Sequence, residues 1–382
     1  MKIQKIVLTM IAVIFLVFCI DSVLIEGYFC IKEGKNSILS WISSRPEKTE
    51  SELNEHLHAR EWLFEYKGLF NRLIDKRYVY GLYKLENGHL VTPSLRTDID
   101  DKLKNLIEFH DWCSGRSIPL LYINLPAKSE NKFFAHYGLE SFSGENADEL
   151  LAGLEAHGID YLDMRDHFPA AGLDSLDIFF KTEHHWKISA GLFSARVIAQ
   201  YINDHYYLGL DTEVIAPDKM HMEFMPQSWV GESGRRTSIA FSGKEDFEYI
   251  TPLDPGSFHL MIPDREIDET GGFSVMINES VFQKPDLYRD SFYYAYLFGN
   301  DPLQVIDNLE ERSGRILIIK DSFAQSVNPF LAMTADELTS WDVRYNKEDL
   351  REYLTDNPVD IVVVMYTESF IQSHMFQFTG SK

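Results

Sequence analysis

A serine near the C-terminal end of the sequence has surroundings that suit a nucleophile. Ser322 lies in the segment ILIIKDSFA, residues 316–324, in which an apolar run ends at Asp321. The pattern predicts a buried strand, then a sharp turn and a helix, and ligands of open α/β sheets bind at such strand ends. A hydroxyl held there can attack once a base takes its proton, with backbone N–H groups facing the same point. The alternative is that Ser322 only caps the following helix.

A second segment supplies a base and a carboxylate. In KTEHHWKISAG, residues 181–191, Glu183 and His185 are two positions apart, so an extended chain would turn both to one side and His184 to the other. A carboxylate that accepts from one imidazole nitrogen leaves the other free to accept a serine proton. Trp186, which opens the next helix, is expected to form a wall of the site. The alternatives are an exposed histidine pair or a metal site, although neither H-x-H nor H-E-x-x-H occurs.

Read together, the two segments contain all three parts of a hydrolytic triad. We predict Ser322 as nucleophile, His185 as general base and Glu183 as the residue that orients His185. The chain order is acid, histidine, serine. No metal ion and no cofactor is expected.

The N-terminal residues predict attachment to a membrane. Residues 6–20 read IVLTMIAVIFLVFCI and follow Lys2 and Lys5. This run is short for a span of about 20 residues, but it can extend if Asp21 is tolerated at the outer interface. Because no A-x-A cleavage pattern follows and the lysines favour a cytoplasmic N-terminus, we expect an uncleaved anchor over residues 1–27. Secretion after signal cleavage and a buried helix of a soluble protein are the alternatives.

Hydrophobic periodicity and composition divide the rest of the chain into three predicted segments. A helical repeat of apolar residues predicts a stalk or packed N-terminal helix over residues 28–76. The domain proper is expected over residues 77–382, with a hairpin turn at residues 87–88. Residues 206–313 are rich in glycine, aspartate, serine and aromatics, and we interpret them as an insertion of irregular β structure.

Outside that insertion, apolar strand-like segments alternate with helical ones. This rhythm predicts an α/β domain with a mainly parallel sheet covered on both faces. The predicted strands are residues 117–125, 158–164, 315–320, 339–345 and 360–366.

Charge and cysteine content exclude other classes. Lysine and arginine total 36 against 59 aspartates and glutamates, a net charge of −23, which opposes binding to nucleic acid. The three cysteines, Cys19, Cys30 and Cys113, form no disulfide framework. Cys30 and Cys113 can pair, but burial as small apolar residues is favoured.

These motifs resemble those of the DHHW proteins, which belong to the SGNH hydrolase-like group together with periplasmic alginate O-acetylation proteins. Residues 183–186 match the Asp-His-His-Trp motif with glutamate in place of aspartate, and residues 320–323 match the strand-to-serine motif. Weaker matches are residues 125–128, 231–236 and 342–345.

The resemblance implies a fold and an activity. The fold is an SGNH-like three-layer sandwich in which the acid–histidine pair precedes the serine. The activity is extracytoplasmic transfer of acetyl groups to a cell-envelope or secreted polysaccharide, with a membrane-bound O-acyltransferase as acyl donor. We expect the substrate to contact the side chains of Trp186, Lys128, Asp321 and Tyr366.

Two other functions remain open at this point. A carbohydrate esterase would use the same three residues with water as acceptor. A non-catalytic glycan-binding or assembly protein would keep the fold alone, and the glutamate at position 183 together with the lack of a GDSL-type block keeps this alternative open.

Overall fold

The computed structural model describes residues 60–378 and nine positions nearer the N-terminus, namely 13, 16, 19, 20, 23, 24, 28, 31 and 32. Residues 77–237 and 242–378 form one compact unit, and residues 60–76 with 238–241 belong to another. Within the described part of the chain, no helix has both the length and the apolar character needed to cross a membrane. The predicted anchor, the first part of the predicted stalk and Cys30 lie largely outside the described residues.

The described chain contains the following regular elements. The helices are α1 (Arg60–Leu73), α2 (Asp100–Ser114), α3 (Ser143–Ala156), α4 (Met164–Ala170), α5 (Ile188–Tyr206), α6 (Glu232–Thr237), α7 (Ile239–Ser242), α8 (Asn328–Ala332) and α9 (Leu350–Asp356). The strands are β1 (Tyr78–Val79), β2 (Leu82–Lys84), β3 (Leu90–Val91), β4 (Leu120–Leu125), β5 (Asp160–Asp163), β6 (Met220–Trp229), β7 (Glu245–Pro252), β8 (Phe258–Ile262), β9 (Ile267–Gly271), β10 (Leu303–Asn308), β11 (Arg315–Lys320), β12 (Glu337–Trp341) and β13 (Ile361–Thr367). Short 3₁₀ helices connect them, including one at Ser322–Ser326.

Eight strands form the main sheet in the order β5-β4-β13-β11-β12-β10-β8-β9. The first five of these run parallel, and β10, β8 and β9 continue the sheet in antiparallel pairing. This architecture confirms the predicted α/β fold with a mainly parallel sheet. The region 206–313 differs from its interpretation as an irregular insertion, because it contributes three strands to the main sheet as well as the separate β6-β7 hairpin.

The central strand β11 shows why the predicted apolar runs form a sheet buried on both sides. Ile316 and Ile318 belong to a core cluster with residues of α5 and α8, whereas Leu317 and Ile319 belong to a cluster with residues of α2, α3 and α9. Because successive side chains of a strand point to opposite faces, a run without polar interruptions requires helices on both faces. The carboxyl end of this strand leads directly to Ser322.

Helix α5 approaches the 3₁₀ helix at Ser322–Ser326 very closely. A Cβ at Gly191 would lie 2.2 Å from the carbonyl oxygen of Ser326, so only glycine fits at this position. Next to it, the indole Nε1 of Trp186 donates to Ser326 Oγ at 2.8 Å. These contacts join the segment that contains the histidines to the turn that contains the serine.

Candidate active site

The candidate nucleophile and base meet across a long separation in the chain. His185 Nε2 lies 2.7 Å from Ser322 Oγ, although the two residues are 137 positions apart. Both side chains are buried, with 2% and 3% of each residue exposed. The contact that the sequence predicts between these residues is therefore present, and its distance suits proton transfer from the hydroxyl to the imidazole.

Asp321 holds the turn on which the serine is presented. One carboxylate oxygen accepts from Phe323 N at 2.9 Å, and the other accepts from the backbone N and the Oγ1 of Thr367 at 2.7 and 2.8 Å. Burial raises the pKa of Asp321, while these three donors oppose that rise. The backbone N–H of Ser322 opens the 3₁₀ helix, so it has no acceptor within that helix and can donate to an oxyanion.

Glu183 is shared between the two histidines. Its Oε1 lies 2.6 Å from His184 Nδ1 and 3.2 Å from His185 Nδ1, and the latter nitrogen is not aligned for a hydrogen bond. The expectation that His184 turns away from Glu183 is therefore wrong. Residues 181–185 form bends rather than a strand, so the alternation of side chains does not apply there.

Backbone groups fix the Glu183 carboxylate as well. Oε1 accepts from His184 N at 2.8 Å, and Oε2 accepts from Glu232 N at 2.6 Å. Burial favours the neutral acid, but the charge and ring donor of His184 outweigh it and hold the pKa of Glu183 well below its usual range. Glu183 is therefore an ionised carboxylate in a buried position, as an orienting residue requires.

The two imidazoles have opposite protonation behaviour. Burial opposes the charged form of His184, but the Glu183 carboxylate outweighs burial and raises the pKa of His184. Burial, reinforced by the charge of His184, lowers the pKa of His185 to about 4. His185 is consequently neutral at ordinary pH, with Nε2 available to accept the serine proton.

The side chains of Glu183, His184 and His185 bring their potential ligand atoms within 4.8 Å of one another. The spacing between His184 Nδ1 and Glu183 Oε1, 2.6 Å, is that of a hydrogen bond. Ligands of a tetrahedral zinc ion with bonds of about 2.0 to 2.1 Å lie about 3.3 Å apart. Glu183 Oε1 and His184 Nδ1 thus lie closer together than two ligands of one zinc ion would.

Aromatic rings hold the His185 imidazole in place. Tyr293 stacks on it with a centroid separation of 4.1 Å and an interplanar angle of 12°, and Phe323 lies at 5.0 Å. The Tyr293 hydroxyl donates to the carbonyl of Phe323 at 3.0 Å. Sequence reasoning missed Tyr293, which lies in an aromatic stretch of region 206–313 without a motif of its own.

Lys128 and Glu245 shape the loop that precedes the histidines. Lys128 Nζ donates to the carbonyls of Phe180, Lys181 and Glu183 at 2.6, 3.0 and 2.8 Å. Burial lowers the pKa of Lys128 to about 7, against the opposing carboxylates of Glu245 and Glu183. Glu245, which sequence reasoning also missed, accepts from the backbone N of Lys181 at 2.6 Å.

The weaker sequence matches also have structural explanations. In the segment 231–236, Gly231 N donates to Thr182 Oγ1 and Gly234 N donates to the Thr182 carbonyl, each at 2.8 Å. In the segment 342–345, Asp342 Oδ2 lies 3.2 Å from the fully buried Lys320 Nζ. The first segment therefore holds the loop at Thr182, and the second pairs with the last residue of β11.

A cavity of about 740 Å³ lies beside the candidate pair. His184 and Phe323, the chain neighbours of His185 and Ser322, form part of its lining. The charged or ionisable side chains that line it are Arg96, Lys128, His184, Arg236 and Glu368. Chain neighbours of both candidate residues thus form part of the cavity wall.

Of the four residues predicted to contact substrate, only Lys128 lines the cavity. Trp186, Asp321 and Tyr366 are fully buried. Tyr366 donates its hydroxyl to the Met375 carbonyl at 2.6 Å and belongs to the core cluster on the face of the sheet that α2, α3 and α9 cover. All three side chains are enclosed by protein and engaged in internal contacts, and their contact with substrate stays a prediction. Lys128 does line the cavity, although its amine is turned to three backbone carbonyls.

Comparison with known proteins agrees with the resemblance stated from the sequence. A family model described as the SGNH hydrolase-like domain of the acetyltransferase AlgX matches residues 86–223, a range that includes Glu183 and His185 but not Ser322. Among curated protein sequences, none matches the chain. The resemblance to SGNH hydrolase-like proteins is thus confirmed.

Solved structures share the fold over most of the chain. Bacillus cereus PatB1 with a sulfonyl adduct superposes with a TM-score of 0.63 at 18% sequence identity, over 78% of this chain and 97% of that protein. A DHHW family protein from Eubacterium siraeum superposes with a TM-score of 0.57 at 15% identity, over 80% of this chain and 98% of the other. At these identities the likeness establishes the SGNH-like fold.

Proposed function

We propose that this protein is an extracytoplasmic O-acetyltransferase that acylates hydroxyl groups of a cell-envelope or secreted polysaccharide. The observation that carries the proposal is the 2.7 Å contact between His185 Nε2 and Ser322 Oγ beside the cavity. The match of residues 86–223 to an acetyltransferase family model supports the same activity.

In the first half of the reaction, Ser322 becomes acetylated. His185 Nε2 accepts the hydroxyl proton as Oγ attacks the acetyl carbonyl carbon of the donor. The Ser322 N–H donates to the oxyanion that forms. The intermediate then breaks its bond to the donor oxygen, which leaves with the proton from His185.

In the second half, a glycan hydroxyl takes the acetyl group. Its proton passes to His185 Nε2 as its oxygen attacks the ester of acetyl-Ser322, and collapse of the intermediate returns the proton to Ser322 Oγ. Glu183 stabilises the imidazolium of His185 in both halves. We propose a membrane-bound O-acyltransferase as the source of the acetyl group and the N-terminal apolar segment as the attachment to the membrane.

Acetylation of Ser322 is tested by incubating the full-length protein with an activated acetyl ester. Intact mass measurement and peptide mapping are expected to locate one acetyl group on Ser322 in the wild type and none in Ser322→Ala. The matched control is Ser369→Ala, which removes another serine that lines the cavity and should acetylate Ser322 normally. A sulfonyl fluoride, the reagent class suggested by the adduct of PatB1, gives a second readout of the same hydroxyl.

Acceptor competition separates the candidate activities. A transferase moves the acetyl group to added polysaccharide and releases less acetate, whereas an esterase releases acetate at the same rate with or without polysaccharide. A wild type that shows no adduct and no more turnover than Ser322→Ala would overturn the proposal and leave a glycan-binding or assembly role.

A further inference from the structure

The carboxylate of Glu183 lies nearer to the ring of His184 than to the ring of His185. Glu183 Oε1 lies 2.6 Å from His184 Nδ1 and 3.2 Å from His185 Nδ1. The two imidazoles lie against each other, with centroids 3.8 Å apart and planes inclined by 38°. One carboxylate oxygen therefore faces two ring nitrogens on adjacent residues.

The sharing has a direct chemical consequence. To accept the serine proton at Nε2, His185 must carry its hydrogen on Nδ1, the nitrogen that faces Glu183. That nitrogen is buried and has no hydrogen bond in the described structure, although the carboxylate is adjacent. The stronger contact of Oε1 is with His184 instead.

We propose that His184 is a positioning residue, which holds the Glu183 carboxylate and thereby controls how strongly that carboxylate supports His185 as a base. The expected effect of His184 on turnover rests on the proposed function. The expected effect on the protonation of His185 does not. His184 acts through Glu183 and does not react itself.

The location of His184 allows this control to respond to the solvent. Its side chain is 38% exposed and lines the cavity, whereas the side chains of Glu183 and His185 are only 2% and 3% exposed. Glu232 Oε2 lies 3.7 Å from His184 Nδ1 and offers that ring a second carboxylate. His184 is thus the member of this cluster that solvent or a molecule in the cavity can contact directly.

The charges around the two rings determine the direction of the effect. A positive charge on His184 disfavours a second positive charge on His185, so it keeps the base neutral at lower pH. Removing that charge, and freeing Oε1 to bond His185 Nδ1, both stabilise the imidazolium and raise the pKa of His185. The charged or titratable groups that face the rings from the packed elements are Glu183, Glu232, Lys128, Arg344, Tyr293 and Tyr294.

The experiment compares two substitutions that separate the charge from the hydrogen bond. His184→Asn places a neutral Nδ2 donor where the imidazole Nδ1 lies and keeps the bond to Glu183. His184→Phe keeps a ring but removes both the donor and the charge. His136→Asn and His136→Phe, at an exposed histidine away from the cavity lining, are the matched controls.

The primary readout is the titration of His185 by NMR of imidazole-labelled full-length protein, with the signal assigned by its loss in His185→Gln. We expect the midpoint of His185 to rise by about one pH unit in His184→Phe and by less in His184→Asn. A midpoint that stays at the wild-type value in both folded variants, or that falls, would overturn the inference.

The pH dependence of kcat/KM for a small neutral acetyl ester is the second readout. The acidic limb should move upward in parallel with the titration, while a merely structural role of His184 would lower kcat without moving the limb. His184→Asn, which keeps a donor to Glu183, should move the limb less than His184→Phe. Absence of Ser322-dependent turnover in the wild type would refute the proposed function, and the titration would still decide the role of His184.

Discussion

Gly231 packs against Glu183 so closely that no side chain fits between them. A Cβ at Gly231 would lie 2.4 Å from the Cβ and 2.6 Å from the Cα of Glu183. The glycine carries no positive φ, so close approach rather than backbone conformation explains it. The next residue, Glu232, donates its backbone N–H to the Glu183 carboxylate at 2.6 Å. The segment around Gly231 therefore sets where the candidate orienting carboxylate lies.

The first prediction concerns this contact. Gly231→Ala should displace Glu183 and weaken its bond to Glu232 N, and a displacement of about 1 Å at a reacting group can lower kcat by up to about a hundredfold. The measurement is kcat for an activated acetyl ester, with circular dichroism to verify folding. Gly144→Ala is the control, because a Cβ there meets its nearest atom at 3.8 Å. Equal activity of the Gly231 and Gly144 variants would contradict a role for this packing.

The second prediction asks whether Trp186 stabilises the fold around the site or contacts the substrate. Its indole N–H donates to Ser326 Oγ and to the Phe323 carbonyl, at 2.8 and 3.2 Å, and the residue is fully buried. Trp186→Phe should lower the free energy of unfolding by about 1 to 3 kcal/mol, because it removes two buried hydrogen bonds. It should leave KM for the acceptor unchanged. Urea unfolding and acceptor titration test this, and a large rise in KM without loss of stability would instead favour Trp186 as a substrate contact.

Some of this site follows from the sequence and some does not. The position of Ser322 is predictable because an apolar run ends there, and such a run requires burial on both faces of a sheet. The orientation of His184 is not predictable in this way, since the alternation of side chains holds for strands and residues 181–185 are bends. Tyr293 and Glu245 come from region 206–313, whose partners lie far away in the chain. No local periodicity indicates that a tyrosine will stack on a histidine 108 positions earlier.

The same limit applies to the fold. Strand β11 is predicted because its apolar residues are continuous. Strands β8 and β10 alternate buried and half-buried positions and pair in antiparallel fashion beyond β12. Their short alternating patterns, separated by turn residues, resemble those of irregular β structure, so their membership in the main sheet depends on long-range pairing that the pattern does not contain.

The third prediction concerns a buried acid at the end of β13. Glu368 accepts from Ala127 N at 3.2 Å, and burial raises its pKa to about 7, with Arg165 opposing the rise. Since the unfolded chain ionises near 4.5, the unfolded state binds fewer protons between pH 4.5 and 7, and this group lowers stability as pH rises through that window. The loss across the window is about 3 kcal/mol.

Glu368→Gln tests this prediction, because the amide keeps an acceptor for Ala127 N and cannot ionise. Urea unfolding of both proteins at several pH values should show that the variant gains stability over the wild type by about 3 kcal/mol between pH 4.5 and 7. Other titrating groups cancel in the difference. A difference between the two proteins that is independent of pH would mean that Glu368 is ionised in the folded state throughout this range.

The last prediction concerns Glu183 itself. Its two oxygens face the backbone N–H groups of His184 and Glu232 and the ring nitrogen of His184. All of these neighbours are donors, so the side chain at position 183 must supply acceptors. Glu183→Gln replaces one oxygen with an NH₂ group, which must face a donor on either side, and it also removes the charge that stabilises the His185 imidazolium. We expect kcat to fall by about a hundredfold or more.

Glu183→Asp keeps the charge but shortens the reach by one methylene. Aspartate is the residue of the DHHW motif, so the variant should fold, but its carboxylate cannot hold both Glu232 N and the His184 ring as Glu183 does. We therefore expect kcat to fall by about tenfold, less than in Glu183→Gln, because charge contributes more than placement when an imidazolium forms in a buried site. The two variants are compared by kcat/KM for the same acetyl ester, with Glu155→Gln as control, since Glu155 is an exposed glutamate of α3 outside the cavity lining. If Glu183→Gln matches the wild type, Ser322 and His185 act as a dyad and Glu183 serves only the fold of the loop.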